Sequence, residues 1–165
     1  MELGVTLTEA LTALQNMALP TALRTSRWVY PLVNAGHILG LALLFGAILS
    51  FDLRLLGLWR DEPIRPLARI LLPVAVSGLS LSLFTGLLLF SVSAAKYAAT
   101  PLFQVKLLLI LAAVANALLL RRAADWTLAQ VPEMAMNSAR LRLAGGLSLL
   151  LWLAVILCGR FLAYI

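Results

Sequence analysis

The chain has 165 residues, of which 62% are hydrophobic and 12% are charged, whereas a soluble globular domain carries roughly 25% charged residues. This composition has more apolar surface than one soluble core can bury, so it excludes an ordinary water-soluble domain. The formal net charge is +6, but the basic residues lie between apolar runs rather than in one stripe with aromatic residues, which argues against a nucleic-acid partner.

The first predicted element covers residues 6–18. Leu7, Leu11 and Leu14 fall on one face at helical spacing, with polar residues elsewhere. This pattern predicts a short amphipathic helix that lies at the membrane surface and ends near Pro20. A soluble N-terminal helix is the alternative interpretation.

Four later runs are apolar over the roughly 20 residues that a helix needs to span hydrocarbon. They cover about residues 28–51, 70–95, 102–120 and 141–163. They predict an all-α integral membrane protein, with residues 1–165 forming one four-helix transmembrane bundle. The first connection contains Pro63 and Pro66, which interrupt helices, and the polar stretch 123–140 is predicted to be partly helical.

The distribution of Lys and Arg predicts the orientation of this bundle. The side with the first and third connections has the larger share: Arg54, Arg60, Arg65, Arg69, Arg121, Arg122, Arg140 and Arg142. The other side has the smaller share: Arg24, Arg27, Lys96, Lys106 and Arg160. We therefore expect the first side to be cytoplasmic and both termini to be periplasmic.

Three basic or titratable residues are predicted to lie at a similar depth in the outer leaflet. At about 1.5 Å per helical residue, His37, Lys106 and Arg160 reach comparable heights on three spans. Asn34, one turn before His37, joins the same layer. An ionisable group costs roughly 2.5 to 3.5 kcal/mol at the bilayer centre, so such groups usually face protein, water or a ligand. These four residues are therefore predicted to form a ligand pocket that opens to the outer face.

The residue types in this layer suggest which ligands such a pocket would take. His37 is the only histidine, and its imidazole is a candidate ligand for copper or for the iron of haem b. Lys106 and Arg160 would bind an anionic group such as a propionate, or a quinone oxygen. One histidine gives one strong ligand, so two-histidine haem ligation would require a dimer. A copper site would have to recruit a methionine: Met17, Met134 or Met136.

A simpler interpretation of the same layer involves no ligand. Lys106 and Arg160 would extend to the phosphate level, and His37 would make one interhelical hydrogen bond. Gly36 and Gly40 form a GxxxG pair, which predicts a close helix-packing surface. This surface lies either inside one chain or against a second copy or another membrane protein.

Polar residues elsewhere in the spans are assigned structural roles. Asp52 and Arg54 are predicted to pair with neighbouring charges, and Asn116 is predicted to form a hydrogen bond across the bundle. No nucleophile with a base partner, no phosphate-binding glycine loop and no carboxylate pair at membrane depth is evident. The sequence therefore favours a role that is not enzymatic.

The stretches YPLVNAGHILGLALLFGAILSFDLRLLG (30–57) and TPLFQVKLLLILAAVANALLLRR (100–122) resemble small bacterial inner-membrane proteins that are distantly similar to the CopD copper-resistance domain. The matching features are His37, Asp52-Leu53-Arg54, Lys106 and Asn116. The resemblance implies a bacterial inner-membrane location and a copper-related or redox role. The chain departs from the CopD pattern in its short length and single histidine.

Two hypotheses follow. In the first, the protein binds a metal, haem or other redox ligand at the level of His37, Lys106 and Arg160. In the alternative, it is a ligand-free structural or accessory subunit that docks another membrane protein through Gly36 and Gly40. A small transporter component is the third hypothesis. It ranks after the other two because four short spans would have to oligomerise to enclose a transport path.

Overall fold

The computed structural model describes residues 2–122 and 139–164, with side chains described from residue 8 onward. Over these residues it contains only helices: α1 (Glu2–Gln15), α2 (Ala18–Thr25), α3 (Val29–Leu56), α4 (Ile64–Val92), α5 (Ala94–Ala99), α6 (Pro101–Arg122), α7 (Ala139–Phe161) and a final 3-10 turn, Leu162–Tyr164. Four of them, α3, α4, α6 and α7, are long and apolar enough to cross a membrane. The predicted all-α, four-helix membrane bundle is thus confirmed. Most of the polar stretch 123–140, with Met134 and Met136, lies outside the described residues.

The N-terminal region differs from the single helix predicted for residues 6–18. The first helix ends at Gln15, and a second helix begins at Ala18, so Pro20 lies in the first turn of α2 instead of ending a helix. Proline is tolerated in a first turn because the backbone N–H groups there have no intrahelical acceptor. Helix α1 lies against α5, and α2 lies against α3 and α4, so both pack on the same end of the bundle.

The first connection between spans is shorter than predicted. Helix α3 continues past Phe51 to Leu56 and ends at Gly57, which adopts a left-handed conformation with φ 107°. Helix α4 begins at Ile64, directly after Pro63, so Pro66 lies within the first helical turn. The prediction that Pro66 belongs to a non-helical connection is therefore wrong.

Small residues bring α3 and α4 into close contact. A Cβ atom added to Gly40 would lie 2.7 Å from the backbone N of Ser82 and 2.9 Å from the carbonyl O of Gly78. A Cβ atom on Gly36 would lie 3.3 Å from the Cγ2 of Thr85. The glycine surface of α3 is therefore covered by α4 of the same chain. Of the two alternatives, the structure shows the contact inside one chain, and contact of Gly36 and Gly40 with a second copy or another protein stays a prediction.

Two apolar clusters fill the interior of the bundle. The central one consists of Leu44, Ala47, Ala75, Ala113, Trp152 and Val155, and the other of Phe51, Leu55, Ile64, Ala68 and Leu141. Many leucines on the outer helix faces are more than half exposed, including Leu39, Leu111 and Leu150. An outer surface of this kind is expected where lipid, rather than water, surrounds the protein.

Candidate functional site

A pocket of about 260 Å³ lies at the end of the bundle where α3 and α6 begin and α4 and α7 end. Its polar and aromatic lining includes Tyr30, Asn34, His37, Phe90, Phe103 and Lys106. The pocket exists because antiparallel packing brings the starts of two spans beside the ends of the other two. It is located on the side of the bundle that is predicted to be periplasmic.

The imidazole of His37 is oriented by α4. Its Nδ1 lies 3.0 Å from the carbonyl O of Ser82 and 3.2 Å from the Oγ1 of Thr85. A carbonyl only accepts, and the Thr85 hydroxyl donates to the carbonyl O of Leu81 at 2.6 Å, so Nδ1 must be the donor in both contacts. In the neutral ring the proton is therefore on Nδ1. The lone pair on Nε2 is then available to a ligand.

A glycine on α4 makes room for this ring. A Cβ atom on Gly86 would lie 3.1 Å from the Cε1 of His37 and 3.5 Å from its Nδ1. Any larger residue at this position would contact the imidazole directly. Gly86 is one of the pocket residues that the sequence analysis did not assign to the site.

The ammonium of Lys106 enters the same pocket from α6. A Cβ atom on Gly159 of α7 would lie 3.4 Å from its Nζ, and Lys106 is near enough to His37 for the two groups to interact electrostatically. Among the side chains described in residues 8–122 and 139–164, no carboxylate forms an ion pair with Lys106. A half-buried cation without an anionic partner favours the binding of a ligand that carries a negative charge or an oxygen acceptor.

Aromatic side chains form one wall of the pocket. The rings of Phe90 and Phe103 are stacked, with centroids 5.3 Å apart and an interplanar angle of 11°. Tyr97 packs against Phe103 with centroids 5.9 Å apart. Burial, together with the nearby Tyr30, raises the pKa of the Tyr97 hydroxyl above its usual value, so this group stays neutral and can donate a hydrogen bond. In the sequence, this wall is indicated by aromatic residues that lie near the predicted outer ends of the spans.

The four residues predicted to form the site do not all face the pocket. His37, Lys106 and Asn34 line it together. Arg160 is exposed, its guanidinium donates to the Tyr164 hydroxyl, and its Cζ lies 4.8 Å from the centroid of the Tyr164 ring. Because successive helical residues are rotated by about 100°, Gly159 faces the pocket and Arg160 faces away from it.

At the opposite end of the bundle, Asp52 and Arg54 interact with uncharged groups, namely a hydroxyl and backbone carbonyl groups. Asp52 forms a side-chain hydrogen bond with Ser148. Arg54 donates from Nε to the carbonyl O of Glu62 at 2.6 Å and from a terminal nitrogen to the carbonyl O of Arg60 at 3.0 Å. The prediction that Asp52 and Arg54 pair with neighbouring charges is therefore wrong.

The predicted hydrogen bond of Asn116 across the bundle is confirmed. Its Nδ2 on α6 donates to the carbonyl O of Ala144 on α7, at 3.0 Å. This bond joins the third and fourth spans in the half of the bundle away from the pocket, close to Asp52 and Ser148. It satisfies a half-buried amide that would be unfavourable in lipid.

The donor set that the described residues place around His37 is smaller than the set that copper centres use. Among the described residues, no three His, Cys, Asp or Glu side chains converge to hold a metal ion. The pocket contributes one imidazole nitrogen, and its other polar side chains are an amide, phenols and an ammonium. Copper sites in proteins draw on several nitrogen or sulfur ligands.

Comparison of the chain with protein-family models, with curated proteins and with solved structures gives no match. The resemblance to the CopD domain therefore stays a prediction. The described geometry establishes a four-helix membrane bundle with a polar and aromatic pocket at one end.

Proposed function

We propose that this integral membrane protein binds a small redox ligand of the quinone class in the pocket between His37 and Lys106. The observation that supports this proposal most strongly is the position of these two side chains. They come from different spans and border one pocket, and within the described residues no hydrogen-bond partner is found for the Nε2 of His37 or the Nζ of Lys106.

The two side chains offer complementary interactions. Lys106 is a donor and carries a positive charge, so it suits a carbonyl oxygen or a developing phenolate. The Nε2 of His37 is an acceptor when Nδ1 donates to Ser82, so it suits a hydroxyl group. The oxidised quinone presents carbonyl oxygens, which suit Lys106, and the reduced quinol presents hydroxyl groups, which suit the Nε2 of His37.

The rest of the pocket suits a flat ring with an apolar tail. The stacked pair of Phe90 and Phe103 gives a planar aromatic surface, against which another ring can stack. The volume of about 260 Å³ is near the lower end of the roughly 300 to 1,000 Å³ that is usual for ligand pockets. This size favours a single headgroup ring over a porphyrin, whose macrocycle is considerably larger.

The proposed membrane location follows from the charge distribution in the sequence. The pocket is at the end of the bundle with fewer Lys and Arg residues, which predicts that it opens to the outer leaflet of a bacterial inner membrane. A quinone that diffuses in the bilayer would reach it laterally, between helices whose outer faces are apolar. In this role the protein would hold or pass on the ligand rather than transform it.

The binding of a short-chain ubiquinone to the purified protein, measured by isothermal titration calorimetry, tests this proposal. We expect the wild type to bind it and Lys106→Met to bind it about 10 to 100 times more weakly, since a hydrogen bond to a charged group contributes about 1.5 to 3 kcal/mol. His37→Ala should weaken binding of the reduced ubiquinol, because a quinol hydroxyl is the group that can donate to Nε2. Arg160→Met is the matched control. It also removes a cation at this level of the bundle, but Arg160 does not line the pocket.

Two results would contradict the proposal. One is equal quinone affinity in the wild type and in Lys106→Met. The other is a purified protein with a Soret band, or with stoichiometric copper, that is lost in His37→Ala. The latter result would identify His37 as a haem or copper ligand and would give the pocket a different occupant.

A further inference from the structure

A second cavity, of about 50 Å³, lies between α3, α4, α6 and α7 in the half of the bundle away from the pocket. Its lining is mainly aliphatic and aromatic, with Phe51 and Leu72 among the contributors. The polar side chains that border it are Asp52, Asn116, Ser148 and Arg121. This cavity is separate from the quinone pocket, and nothing in the proposed function uses it.

Asp52 is the unusual member of this group. It is 4% exposed, its Oδ2 is buried, and no hydrogen-bond partner for Oδ2 is found in the described part of the chain. The carboxyl group also interacts with the side chain of Ser148. An ionised carboxylate with an unpaired oxygen in an apolar interior is very unfavourable, and a proton or a counterion must neutralise it.

The surrounding charges do not supply this neutralisation. Arg121 is the charged side chain that shares the cavity with Asp52, and it is exposed at the cavity border without an ion pair to Asp52. Arg54, two residues along α3, is held by the carbonyl groups of Glu62 and Arg60. Helix α4 contributes Leu72 to the cavity, and α7 contributes Ala144 and Ser148.

The lining also distinguishes between a proton and a metal cation. Hard cations such as calcium and magnesium are surrounded by about six or more oxygen ligands, whereas this cavity offers three polar side chains with oxygen atoms. The amide of Asn116 is, moreover, already engaged with the carbonyl O of Ala144. A proton needs only the carboxyl group itself.

We propose that Asp52 is a proton-binding site inside the bundle, reached from the predicted cytoplasmic side through the cavity that Arg121 borders. A cavity of about 50 Å³ is large enough for water, which requires roughly 10 to 15 Å³, so water can connect the carboxyl group to the surface. The protonated carboxyl group is neutral and keeps its hydrogen bond to Ser148.

The close packing at this level gives proton binding a structural consequence. A Cβ atom on Gly145 of α7 would lie 3.2 Å from the carbonyl O of Asp52 and 3.0 Å from the Cβ of Leu55. The backbones of α3 and α7 therefore approach each other closely beside this carboxyl group. Loss of the proton places a charge at this contact and favours its separation to admit water.

Infrared spectroscopy of the purified full-length protein, titrated with pH, tests the proposal directly. We expect a protonated-carboxyl C=O stretching band at neutral pH that is lost in Asp52→Asn and shifted in frequency in Asp52→Glu. Asp61→Asn is the control, because this carboxylate is exposed on the connection between α3 and α4 and its removal leaves the band unchanged. As pH rises, the melting temperature of the wild type should fall, and that of Asp52→Asn should change less.

Two outcomes would overturn the proposal. The first is the absence of any carboxyl band at neutral pH that depends on Asp52, with both Asp52→Asn and Asp52→Glu folded. The second is a band that sodium chloride removes at constant pH but choline chloride does not, which would identify a cation site. Quinone binding is not expected to change in Asp52→Asn, so failure here is distinguishable from failure of the proposed function.

Discussion

The Nδ1 of His37 on α3 donates a hydrogen bond to the carbonyl O of Ser82 on α4, 3.0 Å away. This contact links the candidate ligand-binding residue to the neighbouring span and determines which ring nitrogen carries the proton. It also fixes the direction of the imidazole, because the acceptor belongs to the backbone of a helix. The orientation of His37 therefore depends on how closely α3 and α4 approach each other.

We expect Gly86→Ala to weaken ligand binding without unfolding the bundle. The added Cβ atom would lie 3.1 Å from the Cε1 of His37, so the ring must move away from its position beside Ser82 and Thr85. Loss of one well-aligned hydrogen bond corresponds to about 0.5 to 1.5 kcal/mol, which is roughly a 2- to 12-fold loss of affinity. Calorimetric titration with the reduced short-chain ubiquinol, whose hydroxyl can donate to Nε2, measures this effect.

Gly46→Ala is the control for this prediction. Gly46 is on the same helix as His37, and a Cβ atom there would have no neighbour within 4 Å. Its affinity for the reduced ubiquinol should equal that of the wild type. An unchanged affinity in Gly86→Ala would mean that the position of the imidazole ring is not important for the ligand.

We expect Gly78→Ala to destabilise the bundle by disrupting the packing of α3 against α4. A Cβ atom at this position would lie 2.7 Å from the carbonyl O of Gly40 and would overlap the backbone N of Leu44. Backbone atoms cannot move aside as a flexible side chain does, and overpacking typically costs about 1 to 3 kcal/mol. Thermal unfolding of the purified protein should show a lower melting temperature.

Gly46→Ala again provides the comparison, since alanine is the better helix former and nothing obstructs it there. Its melting temperature should equal or exceed that of the wild type. If Gly78→Ala is as stable as Gly46→Ala, the close contact between α3 and α4 is not present in the membrane.

We expect the two ends of the bundle to lie on opposite sides of the membrane. In a Cys158→Ser background, Thr25→Cys reports on the end with α2, and Asp61→Cys reports on the connection between α3 and α4. Both positions are exposed. A membrane-impermeant maleimide added to intact cells should label Thr25→Cys, and it should label Asp61→Cys only after permeabilisation.

The reverse labelling pattern would contradict the predicted orientation. The pocket of His37 and Lys106 would then open to the cytoplasmic leaflet, and the cavity of Asp52 would face the periplasm. The geometry of each site would be unchanged, but the source of the ligand and of the proton would be exchanged.

The architecture was predictable from sequence because the requirement that produces it is local. Any uncharged run of about 20 residues in lipid must form a helix, since its backbone groups have no water to bind. This requirement predicts the four spans and the need for Asn116 to form a hydrogen bond inside the bundle. The rise per residue then predicts the depth of His37 and Lys106. Helix ends were less predictable, because Pro20 and Pro66 are compatible with a first helical turn as well as with a break.

The facing directions of the side chains were decided only by the tertiary structure. Height along a helix does not give rotation about its axis, so Arg160 was predicted to join His37 and Lys106, although it faces outward beside Tyr164. Gly36 and Gly40 were equally suited to an internal or an external contact until α4 was seen to cover them. By itself the sequence determined a membrane bundle and the depth of its polar residues. The packing of α3, α4, α6 and α7 determined which residues share a pocket, because that depends on contacts between segments far apart in the chain.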